Sequence, residues 1–214
     1  MKQLEFNKAK YLLSKYKIKT VESETAANSF QAIKIAQKTG FPVVLKIDSP
    51  KIIHKTDNKC VETNLYTATA VSEAFNNIMK NAEKITKDIK GVIVQKQAKG
   101  IETIIGAKRD PQFGPVILFG LGGIYVNVFE DVSMRVAPFT RKDAREMIQE
   151  IKAYPLLNGF RGMEKINFTE LENAILRVSH LMLENNSIKE MDLNPCFVDK
   201  HGCLVADARL IVDA

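Results

Sequence analysis

Residues 91–139 form a β-rich run in which the segments GVIVQK, IETIIGA, PVILFG and MRVAP are interrupted by glycines. Strand-like segments this close together predict a sheet. Helical patterns precede this run at about residues 5–16, 26–39 and 67–89, and others follow it at about residues 141–151 and 170–185. The order of elements predicts an α+β protein with a first lobe over residues 1–90 and a second lobe over residues 91–214. A cleft between two such lobes is a common ligand site.

The longest predicted helix, at about residues 67–89, has a regular apolar stripe. Its members recur at the spacing of one helix face: Ala70, Val71, Ala74, Phe75, Ile78, Met79, Ala82 and Ile85. The starts of two later helices resemble capping boxes, Thr140 with Asp143 and Thr169 with Glu172. The second pair is the closer match to this motif, because its last residue is a glutamate.

The chain of 214 residues carries a formal net charge of +6, which raises the question of a nucleic-acid partner. The excess comes from 24 lysines against 7 arginines, and the lysines are spread over the predicted helices. Arginine is the residue that reads bases and clamps phosphates bidentately, so this composition argues against nucleic-acid binding. A mildly basic surface is compatible with a nucleotide ligand and a partner subunit.

Neither a membrane span nor a disulfide framework is expected from the sequence. No run of about 18 uncharged apolar residues is present, and the first 16 residues lack the apolar core of a signal peptide, so we expect a cytoplasmic protein. The three cysteines, Cys60, Cys196 and Cys203, contain no C-x-x-C pair. We expect them to be reduced thiols.

The carboxyl-terminal segment EMDLNPCFVDKHGCLVADARLIV predicts a hairpin with a candidate metal site. If its turn centres on Lys200-His201, Asn194 lies opposite Asp207, and Asp192 lies opposite Arg209 on the same face. An amide oxygen and a carboxylate brought together in this way suit Mg²⁺. The alternative is a structural hairpin with a surface Asp192–Arg209 ion pair, and Pro195 is a residue that can shift the register.

Two further residues are candidates for phosphate chemistry. Lys46 lies inside the apolar strand VVLKI on the face opposite to Val43, Leu45 and Ile47, where its ammonium group suits a phosphate. The alternative for Lys46 is a side chain that snorkels from an edge strand. His54 lies on the following polar loop and is either a phosphoryl acceptor or an ordinary solvated side chain. GLGG at residues 120–123 brings backbone amides close to an anion or serves a tight turn.

Three long segments together resemble one protein family. The sequence GIETIIGAKRDPQFGPVILFGLGGIYVNVFEDVSMRVAPFTRKDAREMI is very similar to the β subunit of ADP-forming acetyl-CoA (acyl-CoA) synthetases, and FPVVLKIDSPKIIHKTD and EMDLNPCFVD resemble the same family. This resemblance implies an ATP-grasp fold, in which two α/β lobes enclose a nucleotide cleft. It implies a ligase reaction, acetyl-CoA + ADP + phosphate ⇌ acetate + CoA + ATP, with ATP/ADP and Mg²⁺ as cofactors.

The resemblance also implies roles for individual residues and a partner. Lys46 is expected to contact nucleotide phosphate and Glu102 to face the ribose or the metal, while Asn194 and Asp207 match the magnesium ligands. The remaining expected contacts are the adenine hinge of Val94, Gln95, Lys96 and Gln97, phosphate contacts from Arg109 and Arg135, and phosphoryl relay by His54. The α subunit of the family carries the CoA-binding domain and a catalytic histidine, which forms a phosphohistidine, so we expect an α2β2 hetero-oligomer.

The sequence departs from the family pattern at two places. The family has x-Gly-Gly where this chain has Asn58-Lys59-Cys60, and a glutamate where this chain has Asn127. Two lost glycines are expected to stiffen a loop that closes over phosphates. Lys59 is an additional cation that can contact phosphate. The second hypothesis is therefore a nucleotide-binding regulatory subunit with weakened turnover.

Overall fold

The computed structural model describes residues 1–122, 131–162 and 164–213. The chain divides into two compact units: a larger unit of residues 1–20 and 98–214, and a smaller unit of residues 21–97. Gly123 and Asn127, which the sequence analysis singled out, lie outside the described residues.

This division differs from the predicted boundary after residue 90, for two reasons. The first strand, β1 (Lys2–Gln3), pairs antiparallel with the last strand, β11 (Ala208–Val212), so the chain begins in the larger unit. Helix α1 (Phe6–Lys15) follows and contributes to the core of the same unit. The segment GVIVQK, predicted in the second lobe, forms β5 (Gly91–Lys96) of the smaller sheet.

The smaller unit is a four-stranded antiparallel sheet with two helices on one face. Its strands are β2 (Ser23–Ala26), β3 (Val43–Asp48), β4 (Val61–Leu65) and β5, in the order β2-β5-β3-β4. The helices are α2 (Ser29–Thr39) and α3 (Ala68–Glu83). The predicted apolar stripe of α3 packs on the core from Ala70 to Ala82, but Ile85 lies beyond the end of the helix and is exposed. Val43, Leu45 and Ile47 point into the core that the helices cover, as their alternation predicted.

The larger unit is built on an antiparallel sheet. Besides β1 and β11, its described strands are β6 (Ile101–Asp110), β7 (Gly114–Leu121), β8 (Val132–Val136), β9 (Ile188–Asp199) and β10 (Gly202–Val205). They lie in the order β1-β11-β9-β6-β7-β8, with β10 paired to β9. Its helices after α1 are α4 (Arg141–Glu150), α5 (Tyr154–Leu157) and α6 (Phe168–Glu184). α4 and α6 bury apolar side chains of one sheet face. We call the other face, which carries Ile104, Leu118, Asp192 and Arg209, the second face. Within the described ranges, no helix combines the length and apolar character of a membrane span.

The two predicted capping boxes have opposite outcomes. Thr140 and Asp143 form a complete capping box at the start of α4. The prediction for Thr169 and Glu172 is wrong, because α6 starts earlier, with Asn167 as the cap that accepts a hydrogen bond from the Glu170 N–H at 3.1 Å. Glu172 is instead buried, with 2% of its surface exposed, and forms ion pairs to two arginines of α4. Glu172 is therefore held by ion pairs to another helix and does not cap α6, and Asn167 is the capping residue instead of Thr169.

Candidate functional site

The terminal hairpin has the register predicted from its turn. Asp192 lies opposite Arg209 in the pairing of β9 with β11. Asp207 lies between β10 and β11, and its C=O accepts a hydrogen bond from the N–H of Asn194 in β9 at 3.1 Å. Asn194 and Asp207 are therefore cross-strand neighbours, as expected.

Pro195 leaves that register intact but disturbs the pairing of β9 with its other neighbour. The pairing of β6 with β9 shifts by one residue between Thr103 and Ile105. Asn194 and Pro195 of β9 therefore both lie opposite the single residue Ile104 of β6, and this two-to-one pairing is a β-bulge. Bulges re-aim side chains and occur often beside ligand sites. The candidate metal pair thus lies beside one of the two register shifts in the pairing of β9 with its neighbours.

The chemistry of this pair fits a hard divalent cation. Asn194 supplies a neutral amide oxygen and Asp207 a carboxylate, and Mg²⁺ commonly takes few protein oxygens and completes its shell with water and phosphates. The described part of the chain contains no cluster of three or more His, Cys, Asp or Glu residues arranged around a metal position. The pair therefore fits an ion that is shared with a phosphate ligand better than a fully protein-bound metal.

A cavity of about 550 Å³ lies on the second face beside this pair. Its walls are mostly aliphatic and include Ile104, Leu118, Met134 and Ile211. The charged groups along it are Asp192, Arg209, Asp110 and a loose Lys108–Glu190 ion pair of 3.8 Å. The Nε atom of Arg209 is buried and has no hydrogen-bond partner in the described structure. The sequence pattern suggested only an ion pair for Arg209, although its place two residues after a candidate metal ligand was a usable signal.

Lys46 is buried in the interior of the smaller sheet. Its strand lies between β5 and β4, where Lys46 pairs with Ile93 and Val61. Only 3% of the surface of Lys46 is exposed. The snorkelling alternative is therefore wrong, since it requires an edge strand and an exposed amine. A lysine at such a position needs a charged or polar environment to remain protonated.

The predicted hinge segment Val94, Gln95, Lys96 and Gln97 is tightly held within the smaller unit. Val94 and Gln95 pair with strands on both sides, which engages their backbone groups. The N–H groups of Lys96 and Gln97 donate to the C=O groups of Glu22 and Pro42 at 3.0 and 3.2 Å. Among the described residues, the first backbone N–H after β5 without a partner is that of Ala98. Backbone donors available to a base therefore begin at Ala98, and the hinge role of residues 94–97 stays a prediction.

The side chains of the same segment brace its surroundings. Lys96 Nζ donates to the C=O of Gly40 at 2.6 Å and of Phe41 at 3.2 Å. Gln97 accepts from the N–H of Asn64 and donates to its side-chain oxygen, both at 2.7 Å. Asn64 was not predicted from the sequence, because its left-handed backbone, with φ of 59°, has no signal in a strand-like pattern.

The two arginines proposed for phosphate contacts have protein partners. Arg109 donates to the C=O groups of Met182, Asn185 and Ile188, at and just after the carboxyl end of α6. Arg135 forms a two-pronged ion pair with Glu150, which lowers the pKa of that carboxyl. Both guanidinium groups therefore have structural roles that the sequence did not reveal, and their phosphate contacts stay predictions.

His54 lies on an exposed loop whose backbone is internally hydrogen-bonded. Its C=O accepts from the N–H and the side chain of Asn58, at 3.2 and 2.7 Å. Lys59 has a left-handed backbone, with φ of 52°, at a position where the family has glycine. Cys60 is fully buried in the core of the smaller unit, and burial raises the pKa of its thiol. The chain thus forms a glycine-type turn without the glycines.

The glycines of GLGG that are described allow close packing. A Cβ added at Gly120 would lie 2.6 Å from the Asp131 oxygen, and one at Gly122 would lie 3.1 Å from the carbonyl carbon of Glu102. The Gly122 N–H donates to the Glu102 C=O at 2.8 Å, while the Glu102 side chain is exposed. These contacts account for the two glycines without an anion.

Three comparisons place the chain among known proteins. The family model of the ATP-grasp domain matches residues 1–212. The β subunit of ADP-forming acetate–CoA ligase I from Pyrococcus furiosus is 46% identical over 207 residues, which cover 95% of this chain and 89% of that subunit. The acetyl-CoA synthetase 1 of Ca. Korarchaeum cryptofilum, solved with coenzyme A and Ca-AMPCP, superposes with a TM-score of 0.93 at 43% identity, covering 99% of this chain and 94% of that one.

A second structure of the Ca. Korarchaeum cryptofilum enzyme was solved with coenzyme A and Mg-AMPPCP. It superposes with a TM-score of 0.84 at 43% identity and covers 98% of this chain and 92% of that one. Its phosphohistidine segment points towards the nucleotide-binding site. The architecture of both units is therefore that of the ATP-grasp fold, as the resemblance implied.

Proposed function

The chain belongs to the ATP-grasp family, whose domain model spans residues 1–212, and from this we propose that it is the nucleotide-binding β subunit of an ADP-forming acyl-CoA synthetase. The proposed reaction is acetyl-CoA + ADP + phosphate ⇌ acetate + CoA + ATP. The observation that supports it most strongly is the Asn194–Asp207 pair, which lies beside a bulge in a chain 46% identical to such a β subunit.

Asn194 and Asp207 are the proposed ligands of Mg²⁺. A magnesium ion bound there would neutralise charge on the phosphate oxygens of ATP or ADP. The buried amine of Lys46 supplies a cation for the same phosphates. The base is proposed to hydrogen-bond to backbone groups at the end of β5, with the Ala98 N–H as the first open donor. Glu102 is proposed to bind the ribose or the metal ion.

An α subunit is the proposed partner, because the Pyrococcus furiosus relative is named as a subunit. We propose that this partner contributes the CoA-binding domain and the catalytic histidine, and that two copies of each chain assemble as α2β2. Phosphoryl then passes between the phosphohistidine of the partner and ADP on this chain. His54, on its exposed loop, is the proposed relay residue in that transfer.

A catalytically weakened regulatory subunit is the second candidate. Asn58-Lys59-Cys60 replaces the x-Gly-Gly of the family at the His54 loop. The left-handed Lys59 and the buried Cys60 hold this loop in one conformation, which favours a slower closing step. Nucleotide binding without ATP formation in the assembled complex would favour this candidate.

The decisive activity test is ATP formation from acetyl-CoA, ADP and phosphate by this chain mixed with its α subunit. We expect Lys46→Ala and Asp207→Ala to lower the rate by about 100-fold or more, since the first removes a cation that faces the phosphates and the second removes a ligand of the Mg²⁺ that neutralises them. Asp213→Ala is the matched control, because it removes one carboxylate from a surface ion pair with Lys189 in the same unit as Asp207. Full activity in both site variants would overturn the site assignment.

His54→Ala tests the relay separately. If His54 carries phosphoryl, acid-labile phosphate appears on this chain during turnover and disappears in the variant. Phosphate confined to the α subunit, together with normal turnover by His54→Ala, would show that His54 has no part in the transfer.

A further inference from the structure

Arg209 is a cation that neither the fold nor the proposed nucleotide contacts use. It projects from β11 onto the second face, directly opposite Asp192 and two residues after Asp207. Its side chain lines the 550 Å³ cavity, and its Nε is buried without a hydrogen-bond partner in the described structure. The other arginines of this unit with described side-chain hydrogen bonds, such as Arg109 and Arg141, donate to carbonyl or carboxylate oxygens.

A buried guanidinium donor without a partner is costly, because desolvation is not offset by a hydrogen bond. A fork of N–H groups is the geometry that recognises a phosphoryl or carboxylate group. The rest of the cavity favours a ligand that combines an anion with a flat ring, since Ile104, Leu118 and Met134 give it an aliphatic wall on which a ring face can pack. A free inorganic anion would leave that wall without a contact.

We propose that Arg209 contacts the phosphoryl group while it passes between the phosphohistidine of the partner subunit and ADP, and that the aliphatic wall receives the imidazole. The inference rests on the proposed function. In the transfer, the P–N bond of phosphohistidine breaks and a terminal oxygen of ADP bonds to phosphorus. The electron pair of the P–N bond stays on the imidazole nitrogen, which takes up a proton, so that the products are ATP and neutral histidine.

The charge of Arg209 has a second effect at this position. The carboxylate of Asp192 lies opposite it on the adjacent strand and would repel a dianionic phosphoryl group. Arg209 offsets that repulsion and adds hydrogen bonds that match a trigonal phosphoryl group in transit. Its loss is therefore expected to slow transfer more than it weakens nucleotide binding, because ADP is held by other residues.

The test separates these two quantities in the complex with the α subunit. The partner is first phosphorylated with acetyl-CoA and phosphate, and phosphoryl transfer to Mg-ADP is followed in a single turnover by rapid quench. The binding constant of Mg-ADP is measured on the same preparations by calorimetry. The variants are Arg209→Met, Arg209→Lys and the control Arg161→Met, which removes an exposed arginine that stacks on Phe160.

We expect Arg209→Met to slow transfer by about 100-fold while the Kd of Mg-ADP changes less than threefold, and Arg209→Lys to recover part of the rate. The thermal unfolding midpoint of Arg209→Met should not fall, because the variant removes a buried donor without a partner. Normal transfer by Arg209→Met, or equal losses in transfer and in nucleotide affinity, would overturn the inference alone. Absence of Mg-ADP binding or of transfer in the unsubstituted complex would refute the proposed function, and the inference with it.

Discussion

Replacing Lys59 by glycine should stabilise the smaller unit slightly, whereas replacing its neighbour Cys60 by glycine should destabilise it, although both changes restore the family pattern. Lys59 has φ of 52°. A non-glycine residue in this left-handed region costs about 1–2 kcal/mol. Glycine removes that cost but adds about 0.5–1 kcal/mol of backbone entropy in the unfolded chain. The net gain for Lys59→Gly is about 0.5 kcal/mol.

Cys60 has the opposite balance because its side chain is fully buried. Removing its two buried side-chain atoms costs about 1.5 kcal/mol at roughly 0.8 kcal/mol per methylene-sized group. The added backbone entropy of glycine brings the total for Cys60→Gly to about 2–2.5 kcal/mol. The double variant is therefore expected to be less stable than the parent chain.

Amide hydrogen exchange is the appropriate assay, because the exchange rates of amides in the smaller unit can be measured separately from those of the larger unit. The Ile47 N–H donates to the C=O of Cys60 at 2.9 Å and so reports on opening at the loop. Lys17→Gly is the matched control, since Lys17 also has a left-handed backbone, with φ of 57°, but lies in the larger unit. Destabilisation by Lys59→Gly of more than 1 kcal/mol, or a neutral Cys60→Gly, would refute this reasoning.

Two predictions concern stability of the larger unit. Burial raises the pKa of Glu172, but hydrogen bonds from Arg145 and Arg141 outweigh this effect and hold the pKa below its ordinary value of 4.5. The ionised Glu172 therefore stabilises the folded unit fully above pH 4.5. This stabilisation is lost as the pH falls through the lower pKa of the folded state. Glu172→Gln should lower the free energy of unfolding by about 2 kcal/mol at pH 7 and should flatten its dependence on pH below 4.5. Urea titrations in which the unfolding free energy of the variant falls below pH 4.5 as steeply as that of the parent chain would contradict this. Arg109→Ala should cost about 2–3 kcal/mol, because it removes hydrogen bonds to carbonyls at the end of α6, and Arg109→Lys should recover part of that loss in the urea midpoint.

Local patterns predicted the parts of the fold and site that depend on neighbouring residues. The turn at Lys200-His201 fixed the facing of Asn194 and Asp207, because a hairpin register follows from its turn. The alternation in VVLKI likewise gave the face of Lys46. Both results depend on geometry within a single hairpin or strand.

Contacts between distant segments were not predictable in this way. Arg109 contacts carbonyls more than seventy residues away, and nothing in its own strand indicates them. Glu172 was mistaken for a capping residue because its partners, Arg141 and Arg145, lie on another helix. The observed division into two units was not predictable either, because β1 and β11, at opposite ends of the chain, pair with each other.

The proposed magnesium-nucleotide site is best tested by calorimetric titration of the folded chain with ADP in the presence and absence of Mg²⁺. We expect Mg-ADP to bind the parent chain and the Asp213→Ala control equally. Asp207→Ala should weaken only the magnesium-dependent part of the affinity, by about tenfold or more. If the folded chain binds no magnesium nucleotide, or if Asp207→Ala binds Mg-ADP as tightly as the parent chain, the proposed metal and nucleotide site is contradicted.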